Sequence, residues 1–392
     1  MSKDNSNSGI PSVPELFLSF LKLGLTAFGG PAVIPYIEEL VVGRNRWLGK
    51  TTFKDGVVIC QVIPGATGMQ VAAYVGLKTK GIMGALASYA GFGLPAFFLM
   101  LILSYLYAVY HGVQQAASLF NGLAVIVAGI AVNAGYLFGR NTIKTRQGTA
   151  IGALSAALFF IGVSPFIVLL GTAFLGVFIF SADKPALPPM PHQANYAGNI
   201  YKYPALFSVL LLAGLGWLYY AAPKLFSLAE VMLKVDTFAF GGGFASVPLM
   251  FHEVVSVKRW MDSGTLMSGI AFGQMTPGPV VITATFVGYL VSGIAGAVVA
   301  TMAVFTPSFL LLLLATPSFD RIKGSALFSN ATTGIFSAFS GFLVFVAVKF
   351  VVAVHWDILK ILFGFIVLGA LVKKVDIIYV VLIGAAASIF LF

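Results

Sequence analysis

Residues 22–31 read Lys22-Leu23-Gly24-Leu25-Thr26-Ala27-Phe28-Gly29-Gly30-Pro31, and 212 positions later the chain reads Lys234-Val235-Asp236-Thr237-Phe238-Ala239-Phe240-Gly241-Gly242-Gly243. Each stretch carries a lysine six residues ahead of Phe-Gly-Gly. The same offset carries Leu94-Pro95 onto Thr306-Pro307 and Gly81-Ile82-Met83-Gly84 onto Gly293-Ile294-Ala295-Gly296. Between these, Arg46-Trp47 returns as Arg259-Trp260, and Gln61-Val62-Ile63-Pro64-Gly65 returns as Gln274-Met275-Thr276-Pro277-Gly278, both at 213, so one residue is inserted. Gly122 and Gly129 match Gly334 and Gly341 at 212 again, so the duplication runs through most of each half.

Both copies are built for lipid. Of 392 residues, 59% are hydrophobic and 9% charged, and the mean hydropathy is +0.97. A soluble domain carries about 25% charged residues, so this chain has too little polar surface to cover a globule in water. Long unbroken apolar runs, rather than short alternating ones, select helices over a barrel. The expected fold is therefore an all-α polytopic membrane protein of about 13 transmembrane segments. Six runs lie at 15–43, 53–79, 81–110, 117–139, 148–163 and 165–182, and seven at 203–222, 226–250, 267–291, 293–317, 325–353, 357–372 and 375–392.

The predicted organisation is a cytoplasmic tail (1–14), a first repeat (15–182), a Pro-rich linker (183–202), an unpaired helix (203–222) and a second repeat (223–392). Six crossings return the chain to its starting side and the unpaired one sends it across. The second copy is then inverted, as in secondary transporters whose antiparallel copies exchange conformations. The Gly-Gly and Pro-Gly breaks inside the runs make discontinuous or re-entrant helices expected. Full spans are the preferred reading of 15–43 and 53–79, with re-entrant hairpins folded at Gly29-Gly30-Pro31 and Pro64-Gly65 as the alternative.

The formal net charge of +10 is explained by lysines and arginines retained on cytoplasmic loops rather than by nucleic-acid binding. A cytoplasmic N-terminus and a far-side C-terminus place Arg140, Lys144, Arg146, Lys184, Lys258, Arg259, Arg321, Lys323, Lys373 and Lys374 inside. Arg44, Arg46 and Lys50 disagree if 15–43 crosses fully. The polar N-terminal stretch has no basic n-region and no small-residue cleavage site, so no signal peptide is predicted. A single cysteine, Cys60, forms no intramolecular disulfide, and the four histidines show no ligand cluster, so no metal or cofactor is expected.

Backbone breaks are the first candidate for function. Helices that restart after Gly29-Gly30-Pro31, Pro64-Gly65, Gly241-Gly242-Gly243 and Pro277-Gly278-Pro279 present N–H donors and positive dipole ends, suited to an anion in a protein-lined cavity; the alternative is a simple kink or close helix packing. Lys22 and Lys234 lie inside apolar runs and could neutralise a bound dianion, or else snorkel to an interface or pair with Glu15, Glu230 or Asp236. Glu38, Glu39 and Glu253, with His252, could gate or carry a proton, against structural pairing with Arg44, Arg46, Lys258 or Arg259. Arg46-Trp47 and Arg259-Trp260 resemble interfacial anchors, with anion gathering or a part in gating and proton coupling as the second reading for the two arginines. Gln61 and Gln274, with Thr67, Thr276 and Thr283, could donate to an oxyanion or join helices. Phe28 and Phe240 are candidates for substrate contact, with packing beside the glycines as the preferred reading.

The paired Phe-Gly-Gly motifs, each followed by Arg-Trp and then Gln-x-x-Pro-Gly, resemble the chromate transporter (CHR) family in its long, two-domain form, over nearly the whole chain. The resemblance implies a plasma-membrane secondary transporter that exports chromate, confers resistance and is driven by ion gradients, with sulfate as a structural analogue. It carries onto Lys22, Phe28, Gly29, Gly30, Pro31, Arg46, Trp47, Gln61, Pro64 and Gly65, and onto Lys234, Phe240, Gly241, Gly242, Arg259, Trp260, Gln274, Pro277 and Gly278. The expected partners are a chromate or sulfate oxyanion, a coupling ion with the proton foremost, the bilayer, and a second copy in a homodimer. Gly43 to Thr51 misses the spacing of a phosphate loop, so ATP coupling is not expected. A passive oxyanion channel and a sulfate importer are the rival functions; no nucleophile or acid–base set supports an enzyme.

Overall fold

The computed structural model describes residues 10–27, 33–111, 113–180, 202–323 and 325–392. Residues 28–32 and the stretch 181–201, which holds most of the linker, lie outside the described residues. Helices account for all regular structure among the described residues. They are α1 (Val13–Thr26), α2 (Val33–Glu38, continued by a π-helical turn Glu39–Arg44), α3 (Lys50–Val62), α4 (Thr67–Tyr110), α5 (Gln114–Thr142), α6 (Arg146–Phe160), α7 (Pro165–Ile179) and α8 (Lys202–Ala221). There follow α9 (Pro223–Thr237), α10 (Ser246–Met250, continued by a π-helical turn Phe251–Val257), α11 (Ser263–Met275), α12 (Thr283–Lys323), α13 (Ala326–Ala353), α14 (Ile358–Val372) and α15 (Ile377–Leu391). Thr67–Tyr110, Ala117–Thr142, Lys202–Ala221, Val280–Pro317 and Ala326–Ala353 are long and apolar enough to cross a bilayer, which makes the chain a multi-pass membrane protein.

The duplication is reproduced in backbone detail. α1–α7 correspond in order to α9–α15, and α8 is the unpaired helix. Both copies carry a π-helical turn at matched places, and both Arg46 (φ 52°) and Arg259 (φ 53°) are left-handed in the turn that follows it. Gly65 and Gly278 share φ near 115° and 112°. Lys80-Gly81 and Ser292-Gly293 break α4 and α12 with near-identical angles, Gly81 at φ 62°, ψ −149° and Gly293 at φ 61°, ψ −150°.

Those last two breaks are reversals of the chain. Ser88 Oγ donates to the carbonyl of Ala72 at 2.7 Å, although sixteen residues of straight helix would separate them by about 24 Å. Gly76 and Gly84 touch backbone to backbone, as do Gly288 and Gly296. The limb 67–79 therefore lies antiparallel to 82–110.

A second reversal precedes it. Tyr74 Oη donates to the carbonyl of Thr52 at 3.2 Å and its ring lies against Gly56, so α3 and the first limb of α4 form a hairpin folded at Pro64-Gly65. The expected full crossing by 53–79 is overturned: its limbs, about 20 Å long at 13 residues each, turn back instead. In the second copy Gly269 lies against Phe286, and Thr283 Oγ1 reaches the Gly269 carbonyl at 3.4 Å. Lys258 Nζ meets Ser227 Oγ at 2.9 Å, so α9 and α10 fold back on each other in the same way. The thirteen apolar runs of the sequence thus resolve into more helices than crossings.

The halves pack by exchange. α5 lies on α13 and α4 on α12; α6 and α7 pack on α13, while α14 and α15 pack on α5. Each such contact has its mate with the copies reversed, the signature of an approximate two-fold axis. On that axis the tips meet: Gly278 N–H donates to Ala27 C=O at 3.2 Å, and Gly65 N–H donates to Ala239 C=O at 3.0 Å. These are one bond made twice.

The two glycines sit in different surroundings. A methyl on Gly65 would collide with Ser308 Cβ, whereas one on Gly278 would stand 3.1 Å from Ala96 Cβ. With left-handed strain of about 1–2 kcal/mol at both and overpacking of roughly 1–3 kcal/mol at the first, Gly65→Ala is expected to lower the thermal midpoint of the detergent-solubilised protein clearly more than Gly278→Ala. The reverse order would contradict the tip geometry.

Candidate functional site

A cavity of about 190 Å³ opens beside the crossed bonds, lined by Val33 and Ile34, by Gln61, Ala66, Thr67 and Gly68, by Gly241, Gly242, Gly243 and Phe244, and by Gly278, Pro279 and Val280, with Phe92 behind. Four segments thus reach one chamber: α2 through Val33 and Ile34, the start of α4, the 3₁₀ turn Gly243–Ala245 leading into α10, and the 3₁₀ turn Val280–Ile282 leading into α12. Helix starts carry N–H groups without intrahelical partners and the positive end of the dipole.

Ordinarily such donors are satisfied by a capping side chain, and several helices elsewhere in the chain have one. Ser12 caps α1, Thr145 α6, Asp262 α11, Ser325 α13, Asp357 α14 and Asp376 α15. The Lys360 amide bound to Asp357 holds that carboxyl below the ordinary carboxylate value. At the cavity the cap positions are Ala66, Gly242 and Pro279, and none offers a side-chain bond. α3, α5, α7 and α9, which begin away from it, also start without one, so it is the convergence of such starts that distinguishes the chamber.

The opposite helix ends are treated differently. Ala27 and Ala239, at the ends of α1 and α9, have their carbonyls engaged by Gly278 and Gly65, and Gln70 Nε2 takes the carbonyl of Pro64 at 2.6 Å. The negative ends are quenched and the positive ends left open, so the chamber is biased toward an anion. Three such starts at up to about 2 kcal/mol each bound the attraction at about 6 kcal/mol, the scale of a site of tens of micromolar. The volume suits a small oxyanion with a few waters, each of which occupies about 30 Å³ in the liquid.

Of the residues singled out in the sequence, Gln61, Gly241, Gly242 and Gly278 line the chamber, joined by Thr67. Gly65 braces it from behind through its amide. Phe28, Gly29, Gly30 and Pro31 lie outside the described residues. Pro64 and Phe240 face a second, apolar cavity of about 610 Å³ on the other side of the tips. Pro277 is buried at its tip. Gln274 is buried with no partner for Nε2 and does not reach the chamber wall. Thr276 and Thr283 bond their own helical turns.

The two lysines are elsewhere. Lys22 is exposed on the face of α1 that carries exposed Leu18 and Leu25. Lys234 is half-buried in an i,i+4 pair with Glu230 at 2.9 Å, and Lys258 Nζ stands 4.0 Å from the same carboxylate. Glu253 is buried within electrostatic reach of Lys234 and Lys258. Glu39 pairs with Arg44 at 3.5 Å in solvent, Glu38 is half-buried, and Arg46 and Arg259 are exposed in their turns. Among the described residues no cluster of His, Cys, Asp and Glu could hold a metal ion. Sequence reading passed over Gln70, Tyr89 and Ser308, which crowd beneath the Gly65 tip, and weighed Asp236 only as a partner for a lysine.

Comparison with known proteins places these features in a family. The chromate transporter model matches residues 14–177 and again 226–389, one match per copy. An uncharacterized transporter of Methanocaldococcus jannaschii is 43% identical over 375 residues, covering 95% of this chain and 93% of that protein. A chromate transport protein of Cupriavidus metallidurans is 30% identical over 309 residues (78% of this chain, 75% of that one), and one of Pseudomonas aeruginosa is 30% identical over 338 residues (82% and 76%). No solved structure matches the chain.

Gly243 tests the chamber directly. A Cβ there meets only the Val280 amide, at 3.8 Å, and the rest of a leucine would extend toward the chamber, so Gly243→Leu is expected to leave thermal unfolding near that of the wild type while weakening oxyanion binding by about tenfold or more, or about 1.4 kcal/mol. Gly214→Leu on α8, also in open space, serves as the control and should bind normally. Equal binding by the two variants would remove the chamber from consideration.

Proposed function

Since the chain belongs to the chromate transporter family, and is accordingly a transporter and not an enzyme, we propose that it is a secondary carrier that exports chromate by alternating access, with sulfate as the analogous dianion. One observation supports this reading most: three starts without a capping side chain, at Thr67, Gly243 and Val280, converge from both copies on a single chamber. A tetrahedral dianion presents its oxygens in several directions, and convergent groups of amides answer it without a dedicated cationic side chain. In this reading Lys22 and Lys234 act at a distance, raising the local anion concentration and steadying the hairpin limbs.

A re-entrant reading of the hairpins also accommodates the one inconsistent loop in the charge distribution. If α1/α2 and α3/first-limb-α4 both enter and leave on the cytoplasmic side, then Arg44, Arg46, Lys50, Lys78 and Lys80 join Arg140, Lys144 and Arg146 there, as loop lysines and arginines do. The crossing by α8 then delivers the second copy to the other face, inverted, with Lys258 and Arg259 outside. The two-fold exchange of contacts supports two states of similar energy, one open to each side, which favours a carrier over a passive channel.

Purified protein in liposomes should show saturable chromate uptake accelerated by chromate or sulfate on the far side. Flux that rises linearly and ignores trans anion would make it a pore. In a Cys60→Ala background, a cysteine at position 50 is expected to resist an impermeant thiol reagent applied outside intact cells; labelling there would reverse the proposed hairpin orientation.

A further inference from the structure

Asp236 lies on α9, five residues before the Gly241 that lines the chamber, and is fully buried. Its Oδ2 accepts the Ser308 amide at 2.7 Å, just past Pro307 in α12, while its Oδ1 has no partner. Tyr89, from α4 of the other copy, donates its hydroxyl to the Phe305 carbonyl at 2.8 Å and stands 3.2 Å from Ser308 Oγ. Ser308 Cβ presses on Gly65, the residue whose amide holds the Ala239 carbonyl. The carboxyl group is therefore one side chain behind the chamber wall, at the seam between the two copies.

A capping role does not account for it. The first copy has the same bend at Pro95 but places Gly24 where Asp236 stands, Ala96 for Ser308 and Thr301 opposite Tyr89. There α1 lies directly against the Phe92 carbonyl through Gly24, and the bend forms without an acid. The architecture thus requires no carboxylate at this position, and a membrane protein that keeps an unpaired one in its interior puts it to use.

Nor does a counter-charge reach it. On α9 itself, Glu230 and Lys234 pair with each other around a separate crevice lined also by Phe226 of α9 and Leu215 of α8. Of the elements packed on α9, α10 contributes no titratable side chain, the titratable residues of α8 (Lys202, Tyr203, Tyr219 and Tyr220) are all exposed, and α12 presents Ser308. Tyr89 is the titratable neighbour.

We propose that Asp236 is the group that binds the coupling proton, its free oxygen taking up H⁺ on one side and releasing it on the other as the seam between the copies shifts. The inference rests on the carrier reading above. Burial in the present state keeps the proton from exchanging with either solution, which is what a coupled cycle requires; discharge of the carboxylate loosens its hold on the Ser308 amide and, through Ser308, the support of the Gly65 tip. A sodium ion would need several oxygen ligands where a proton needs one.

Liposome transport separates the possibilities. Wild-type protein should accumulate chromate against a concentration gradient when a pH gradient is imposed, with proton movement visible to an entrapped pH dye. Asp236→Asn keeps an acceptor for the Ser308 amide and should retain trans-stimulated exchange while losing gradient-driven accumulation and the dye signal by about tenfold or more. Accumulation by the Asn variant that still follows the pH gradient would overturn the assignment, as would wild-type accumulation driven by a sodium gradient alone. Should the Asn variant fail to insert, Tyr89→Phe carries the test: a shifted pH profile of exchange is expected, and an unchanged profile overturns the proposal. Absence of exchange by the wild type would instead defeat the carrier reading itself.

Discussion

Two backbone hydrogen bonds, Gly278 to Ala27 and Gly65 to Ala239, hold the centre of this protein. Unwound peptide groups inside a bilayer have no water to bond and cost several kcal/mol each if left alone. Here each copy satisfies its own broken ends with amides from the other, so neither half completes its tips by itself. Each bond takes one amide and one carbonyl, so the positive character of the chamber comes from elsewhere: from the helix starts after Ala66, Gly242 and Pro279, which have no capping side chain.

Glycine at 65 and 278 is what makes those bonds reachable. Both residues are left-handed, a conformation that costs other residues about 1–2 kcal/mol, and at Gly65 the neighbouring Ser308 leaves no room for a methyl. The Pro-Gly pair therefore ends one limb and aims the amide in two consecutive residues. The same duplication governs the periphery: α5 is cradled by α14 and α15 of the opposite copy, as α13 is by α6 and α7, so any relative movement of the halves is registered at the seam where the tips and Asp236 lie.

Much of this was legible in the sequence. The repeat, the unpaired helix, the breaks at Pro64-Gly65 and Gly241-Gly242, and the prospect of an anion held by helix starts all came from motif spacing. The reversals did not, because hydropathy runs through an apolar hairpin tip as it runs through a crossing; only the limb lengths, 14 residues for α1 and 13 for α3, fall short of the roughly 20 a crossing needs. Lys22 shares a helical face with Leu18 and Leu25, and that periodicity already pointed it outward. Asp236 follows Lys234 by two positions, about 200° around the helix, so the two could not have faced each other. Gln70, Tyr89 and Ser308 gain significance only from the packing of α4 against α12, which no local pattern announces.

The proposal stands or falls on whether the backbone amides at the starts after Ala66, Gly242 and Pro279, not lysine side chains, hold the dianion. Anomalous diffraction at the chromium or selenium edge from crystals grown with chromate or selenate tests it most directly. The account predicts one strong peak between Thr67, Gly243 and Val280, within hydrogen-bond distance of their amides. A peak beside Lys22 or Lys234, with the chamber empty, would contradict it.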